Sequence, residues 1–249
     1  MSIRQFEKKL SPEGLAYLQE TRTCLKGLRT TKDLYCKGGV YSRARVRDVH
    51  QVVVRKLLGK SVVRVKQGQP WMLIVLGPPG SGKNTALHKI CPRILRTAIV
   101  ADNDQVKSLM PGFKRHKAAA FHEESSDILV QLMAGCLINK RDLIWLAVGK
   151  TEKNIRNVIR SARREGYWVG IILINLTPME AARRAWKRFI DGGRFVDPKY
   201  VLMEVGLKPR GTYVTLKKEA DYYAHYDNQV PLGRAPRLVK ESSAVARPQ

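Results

Sequence analysis

The chain has 249 residues, 44% of them hydrophobic, enough for one large domain or two small ones around a sizeable core. Forty-six Lys and Arg against 21 Asp and Glu leave a formal charge of +25, a field that attracts polyanions. No apolar run reaches the roughly 18 residues of a membrane span. The N-terminus "MSIRQFEKKLSPEG" has no apolar signal core, and the four cysteines (Cys24, Cys36, Cys91, Cys136) lack the C-x-x-C spacing of a zinc site. A soluble protein of a reducing, cytoplasmic compartment is expected.

In chain order, Ser11 followed by Pro12 and Glu13 predicts an N-cap and a short helix over 15–22. Residues 42–58 place Val46, Val49, Val53 and Leu57 on one helical stripe. Trp71–Leu76 is a short apolar run ended by Gly-Pro-Pro-Gly, the pattern of a buried parallel strand. A helix is expected from Lys83 to Ile90, a strand in "RTAIVAD" and a long helix over 118–139. A third strand follows in "DLIWLAV", then a helix over 152–165 closed by Gly166 and a fourth strand, "WVGIILIN". Thr177, Pro178 and Glu180 form a capping-box pattern that opens a basic helix ending at Gly192–Gly193. A short helix after Pro198 and a last strand near 222–226 complete the pattern, and the tail from Val230 is expected to be loose. Alternating strands and helices predict an α/β fold of the P-loop NTPase type, a mainly parallel sheet flanked by helices with an N-terminal helical extension. The expected division is 1–66 for the extension, 67–229 for the core and 230–249 for a basic tail.

"LGPPGSGKNT" between a strand and a helix fills seven of the eight positions of the phosphate loop G-x-x-x-x-G-K-[ST]. Gly77, Pro78, Pro79, Gly80, Ser81, Gly82, Lys83, Asn84 and Thr85 are the candidate nucleotide-binding residues. Glycines let backbone N–H groups converge on a phosphate, and the helix N-terminus adds positive potential. Lys83 is expected to stand exposed in an open pocket and to reach the β- and γ-phosphates. Asn84 stands where the motif has a hydroxyl that holds Mg²⁺; its carbonyl is a candidate Mg²⁺ ligand on a longer arm. No acidic residue occurs between Asp48 and Asp102, so the loop sits in a purely basic stretch.

Asp102 and Asp104 follow the second strand, where such sheets meet their ligands, and a carboxylate there can accept a proton from an attacking hydroxyl. Taken alone, the pair also reads as a solvated turn with Asx capping. "FHEESSDIL" puts His122, Glu124, Ser125 and Ser126 at a helix start. Arginines of the basic helix, with Arg194 beyond it, can clamp a transferring phosphoryl, or form a solvated face.

The order "GPPGSGKN", "DNDQVKSLMP", "HEESS", "VGKT", "EGYWVGIILIN" and "GGRFVDP", preceded by "GGVYSRARVRDVH" and followed by "YDN", resembles the zeta-toxin family from about residue 30 to 228. The resemblance implies a kinase that uses ATP and Mg²⁺ to phosphorylate a sugar hydroxyl. The acceptor would be a nucleotide-linked molecule, best a UDP-N-acetyl-amino-sugar, and the protein a toxin or effector with a possible antitoxin partner. It maps the loop lysine to Lys83, the general base to Asp104 and the lid arginines to Arg184 and Arg194. The acceptor side falls to His122, Glu124 and Ser125, with Asp102, Lys107, Lys150 and Thr151. Two departures stand out: Asn84 replaces Ser or Thr, and Leu146–Thr151 lacks the glutamate that ends the third strand in several members. Lys150, at that strand end, is a candidate stand-in for metal charge. Two further readings stay open: a nucleotide-binding interaction protein with little catalysis, whose basic surface binds nucleic acid or a partner, and a kinase acting on nucleic-acid ends, which the charge would suit. Weak, non-specific contact with nucleic acid is expected beside these.

Overall fold

The computed structural model describes residues 2–59 and 68–242. Lys60, Arg64, Lys66 and the expected boundary at 66/67 lie outside the described residues, as does the end of the tail from 243.

A six-stranded sheet organises the chain. Its strands are β3 (Trp71–Leu76), β4 (Ile99–Ala101), β5 (Leu143–Ala147), β6 (Trp168–Asn175), β7 (Tyr222–Asp227) and β8 (Arg237–Glu241), in the spatial order β4-β5-β3-β6-β7-β8. The first five are parallel; β8 pairs antiparallel with β7. Every residue of β3 is buried, as an apolar run covered on both faces requires. The strand order reverses at β3, so its carboxyl end opens on the crevice where such sheets bind ligands. A separate hairpin joins β1 (Cys36–Lys37) to β2 (Val40–Tyr41).

Eleven helices surround the strands among the described residues. The N-terminal set is α1 (Ile3–Glu7), α2 (Pro12–Leu25), α3 (Thr31–Tyr35), α4 (Arg43–Arg45) and α5 (Gln51–Leu58). Ser11 caps α2 as expected, accepting from the Gly14 N–H. A π-helical turn, Val46–His50, joins α4 to α5. It rotates the predicted stripe, so Val49, Val53 and Leu57 reach the core and His50 is buried with them. Phe6 and Leu18 pack on Trp186, Phe189 and Val201, and α5 packs in one cluster with the sheet.

The later helices are α6 (Lys83–Ile90), α7 (Asn103–Leu109), α8 (His122–Ile138), α9 (Glu152–Arg164), α10 (Pro178–Gly192) and α11 (Lys208–Leu216). The sequence pattern assigned no element to α11; its Pro209 sits in the first turn, where proline lacks nothing the helix needs. Thr177 occupies the N-cap of α10 with Pro178 next, but the capping box is not made. Glu180 turns instead to Arg183 and Arg184, at 2.6 and 2.7 Å. Gly193, left-handed at φ 69°, stops α10 with its N–H on the Phe189 carbonyl. The tail from Val230 is not loose throughout, since Arg237–Glu241 add β8 to the sheet. No helix of the described residues is long and apolar enough to cross a membrane.

Candidate active site

The phosphate loop is built from close approaches that admit only glycine at two positions. A Cβ at Gly77 would come within 2.7 Å of the Ile174 carbonyl, and one at Gly80 would meet the Ala181 carbonyl at 2.3 Å, with φ already at +85°. The loop is held from the far side of the sheet by Asn228, after β7, whose buried amide donates to the Ser81 carbonyl at 2.7 Å. Gly82 opens α6, and Asn84 and Thr85 stand exposed on its first turn. The Ser81 hydroxyl is shielded and has no hydrogen-bond partner among the described residues.

Lys83 is not the exposed side chain that the sequence suggested. Its ammonium folds onto its own loop, donating to the carbonyls of Gly77 at 2.7 Å and Pro78 at 3.2 Å. Burial pulls the amine down to about 8, opposed by the charges of Asp102 and Asp104. Pro79 contributes no N–H to this cradle.

The two carboxylates part company. Asp102 is the N-cap of α7, accepting from the Asp104 N–H at 3.0 Å, and burial, then the neighbouring Asp104 charge, raise its carboxyl above the usual range. Asp104, partly exposed, forms an ion pair with Arg194. The nearly buried Lys107 ammonium lies 3.9 Å away, and its own burial brings it down to about 8.

Arg184 is committed elsewhere. It pairs with Glu180 and donates to the Val230 carbonyl at 2.7 Å, fastening α10 to the segment after β7 while lining the cavity with its flank. Arg188, one turn on, faces the charged cleft instead. Its Nε and one Nη are shielded without a partner among the described residues, as is the Nε of Arg194. Burial, then the Arg194 cation, pull its guanidinium down to about 10. The sequence carried no signal that sets Arg188 apart, since Arg184 and Arg188 both flank the small buried stripe Ala181, Ala182 and Ala185. A cavity of about 370 Å³ runs from here between Gly80, Gly82, Thr85, Arg184 and Arg188 on one side and Asn228, Leu232 and Arg234 on the other.

Several expected acceptor-side residues serve the scaffold. Glu124 is fully buried, bidentate to Arg45 at 2.7 and 3.0 Å and 3.0 Å from His50 Nε2. These hydrogen bonds outweigh burial and hold its carboxyl down at about 2. Ser125 is also buried, its hydroxyl turned back to the His122 carbonyl. Ser126, which bonds to Asn103 at 3.0 Å, couples α8 to the turn that carries Asp104. Lys150 does not stand free beside a phosphate; it pairs with Glu204 at 2.8 Å. Thr151 caps α9 by its backbone alone. His122 remains near the charged cluster: desolvation and the Lys107 cation push its imidazole down to about 4.

For a divalent cation, the oxygen donors at this end are Asn84, Asp102 and Asp104. Among the described residues no three His, Cys, Asp or Glu side chains group into a metal site. Mg²⁺ commonly takes one or two carboxylates and completes its shell with phosphate oxygens and water, so this sparse oxygen set fits it.

A comparison with curated proteins finds no match. The family model for the zeta toxin matches residues 55–207. Among solved structures, the chain is similar to one from the PezAT chromosomal toxin–antitoxin system of Streptococcus pneumoniae, with a TM-score of 0.60 and 13% identity over 81% of each chain. It is also similar to AvrRxo1-ORF1:AvrRxo1-ORF2 with sulphate ions, TM-score 0.67 and 14% identity over 86% of this chain and 77% of that one. The same complex with ATP gives a TM-score of 0.66 at 14% identity, over 86% and 76%. At these identities the structures speak for the fold. The family model covers more than half of the chain, from before the phosphate loop to past Arg194, and on that ground the protein belongs to the zeta toxin family.

Proposed function

We propose that the protein is an ATP-dependent kinase that transfers the γ-phosphoryl group to a sugar hydroxyl of a nucleotide-linked acceptor, a UDP-N-acetyl-amino-sugar first among them. The observation that carries this reading is the set of shielded, unpartnered guanidinium nitrogens of Arg188 and Arg194 beside a glycine phosphate loop. Buried donors without acceptors are costly, and an anionic phosphate is the ligand that satisfies them. The triphosphate lies on the loop with its base and ribose in the cavity toward Leu232. Binding draws Lys83 off the loop carbonyls and Arg194 toward the phosphate. Asp104, released from its ion pair, accepts the proton as the acceptor oxygen attacks the γ-phosphorus and the bond to the β-phosphate oxygen breaks. Lys83, Arg188 and Arg194 stabilise the charge that spreads over the transferring group. A Mg²⁺ entering with the nucleotide would be held by Asn84 or Asp102 and would supply further charge neutralisation. The solved relatives named above come from a toxin–antitoxin system and a two-component complex. That supports an antitoxin partner for this protein too.

The test is ADP release and acceptor phosphorylation with ATP, Mg²⁺ and a panel of nucleotide-linked sugars. Acceptor-dependent turnover is expected. A second reading, a nucleotide-binding protein without transfer, draws on Asn84 and on Lys150 being engaged with Glu204. Tight ATP binding with no acceptor phosphorylated across the panel would favour it.

A further inference from the structure

The sheet face carrying α11 bears positive charge that the kinase reading does not use. β7 turns Tyr223 and His225 to this side, against Tyr213 of α11. Directly across the strand pair, Lys240 of β8 lies opposite His225. Lys217 stands over two rings at once, 5.9 Å from the centre of Tyr213 and 5.6 Å from that of Tyr223. Burial, the Arg210 cation and the Lys217 cation all disfavour charge on the His225 imidazole, opposed by the Asp227 carboxylate, and its Nε2 is shielded and without a partner among the described residues. So Arg210, Lys217, Lys240 and His225 gather around one point of the sheet, with a partly exposed tyrosine beside them.

The acids nearby are already taken. Asp227 pairs with Arg237, Glu219 with Arg156 and Asp221 with Arg163. No carboxylate within ion-pairing distance is found for Arg210, Lys217, Lys218 or Lys240 among the described residues. These four cations therefore have no paired counter-charge among the described residues, and they contribute to the +25 of the chain. Beyond α11, the outward side of β8 is open: four of its five residues are exposed. Cations spaced over a helix and two strands, around aromatic rings, form a surface that tracks a polyanion backbone and stacks unpaired bases. A small anion would need one convergent pocket; an acidic protein would not need the rings.

We infer that the α11–β7–β8 face binds single-stranded nucleic acid, with Arg210, Lys217 and Lys240 on phosphates and Tyr223 against a base. The site is separate from the phosphate loop and does not rest on the kinase reading.

Fluorescence anisotropy of a labelled 20-nucleotide RNA of mixed sequence tests this with the full chain at 50 and 200 mM salt. For three neutralised phosphates on a single strand, the log–log slope near −0.7 per phosphate predicts about 20-fold weaker binding at the higher salt. Lys217→Glu with Lys240→Glu is expected to weaken binding at 50 mM about tenfold or more while the melting temperature and ATP affinity stay near wild type. Tyr223→Leu should weaken single-stranded binding more than binding of the matching duplex. Three results would each overturn the assignment: no RNA binding at 50 mM salt, binding unchanged in the double variant but lost in Arg93→Glu with Arg96→Glu, or binding only to vesicles containing phosphatidylserine. If the double variant fails to fold, Lys240→Glu alone, at the exposed sheet edge, makes the same comparison with an expected loss of about threefold.

Discussion

Arg194 and Asp104 form an ion pair that joins the segment after α10 to the first turn of α7. Each is only partly exposed, at 27% and 33%, so the pair is neither a solvated surface bridge nor a fully desolvated one. In the proposed reaction this contact holds the base in check until phosphate competes for the arginine. Asp104→Asn should then leave ATP affinity within a few-fold of wild type and lower turnover by about 10²- to 10⁴-fold, the usual cost of losing a general base. Steady-state turnover alongside calorimetric titration separates the two effects. A milder loss than that of Asp102→Asn would assign the base to the wrong carboxylate.

The two arginines of α10 should behave differently. Arg188→Ala removes donors that face the cleft and is expected to weaken ATP binding and turnover together, with little change in melting temperature. Arg184→Ala leaves the Val230 carbonyl without its donor and Glu180 with Arg183 alone, and should cost about 1–3 kcal/mol of stability, read from denaturant unfolding. Equal kinetic effects with equal stability would contradict the division of labour between them.

Gly80→Ala should be far more harmful than Gly112→Ala. Both glycines have positive φ, but an added Cβ at Gly112 meets open space, leaving only a left-handed penalty of about 1–2 kcal/mol. At Gly80 the Ala181 carbonyl blocks the position, so α10 must move away from the loop. Thermal melts of both variants, with ATP titration of whichever folds, check the ranking.

Glu124 makes stability depend on acid. Its carboxyl is held at about 2 when folded, below its ordinary value near 4.5. Its contribution is therefore complete above about pH 4.5 and fades as pH falls toward 2. Glu124→Gln removes that dependence and leaves Arg45 and His50 without their counter-charge, a loss of about 3–5 kcal/mol at neutral pH. Melting temperature against pH should show the wild type and the variant converging under acid. Parallel curves would place the acid sensitivity elsewhere.

Asn84→Thr tests the departure in the loop. Thr85 and Asn84 are both exposed on the first turn of α6, so the change costs no packing. A hydroxyl there is the shorter ligand, and the expected result is a lower Mg²⁺ requirement at half-maximal rate, with a smaller change in turnover than Asp104→Asn produces.

The sequence by itself determined the architecture. The apolar runs at Trp71–Leu76 and Trp168–Asn175 are short, β-branched in part and bounded by turn residues, the pattern of buried strands, and the glycines around Lys83 have one reading between a strand and a helix. Local pattern also placed the caps at Ser11 and the stop at Gly193, because the groups that make them lie within a few residues. Side-chain partners were beyond it. Nothing local distinguishes Arg184 from Arg188: the choice depends on Glu180 and Val230 taking the first, and on the approach of α10 to Gly80 turning the second inward. Glu124, expected on the acceptor side, is taken instead by Arg45 and His50, more than 70 residues earlier. The π-turn at Val46–His50 decided that meeting, since it rotates His50 into the core. β8 was hidden for the same reason, as its strand exists through the edge that β7 offers and through no periodicity of its own.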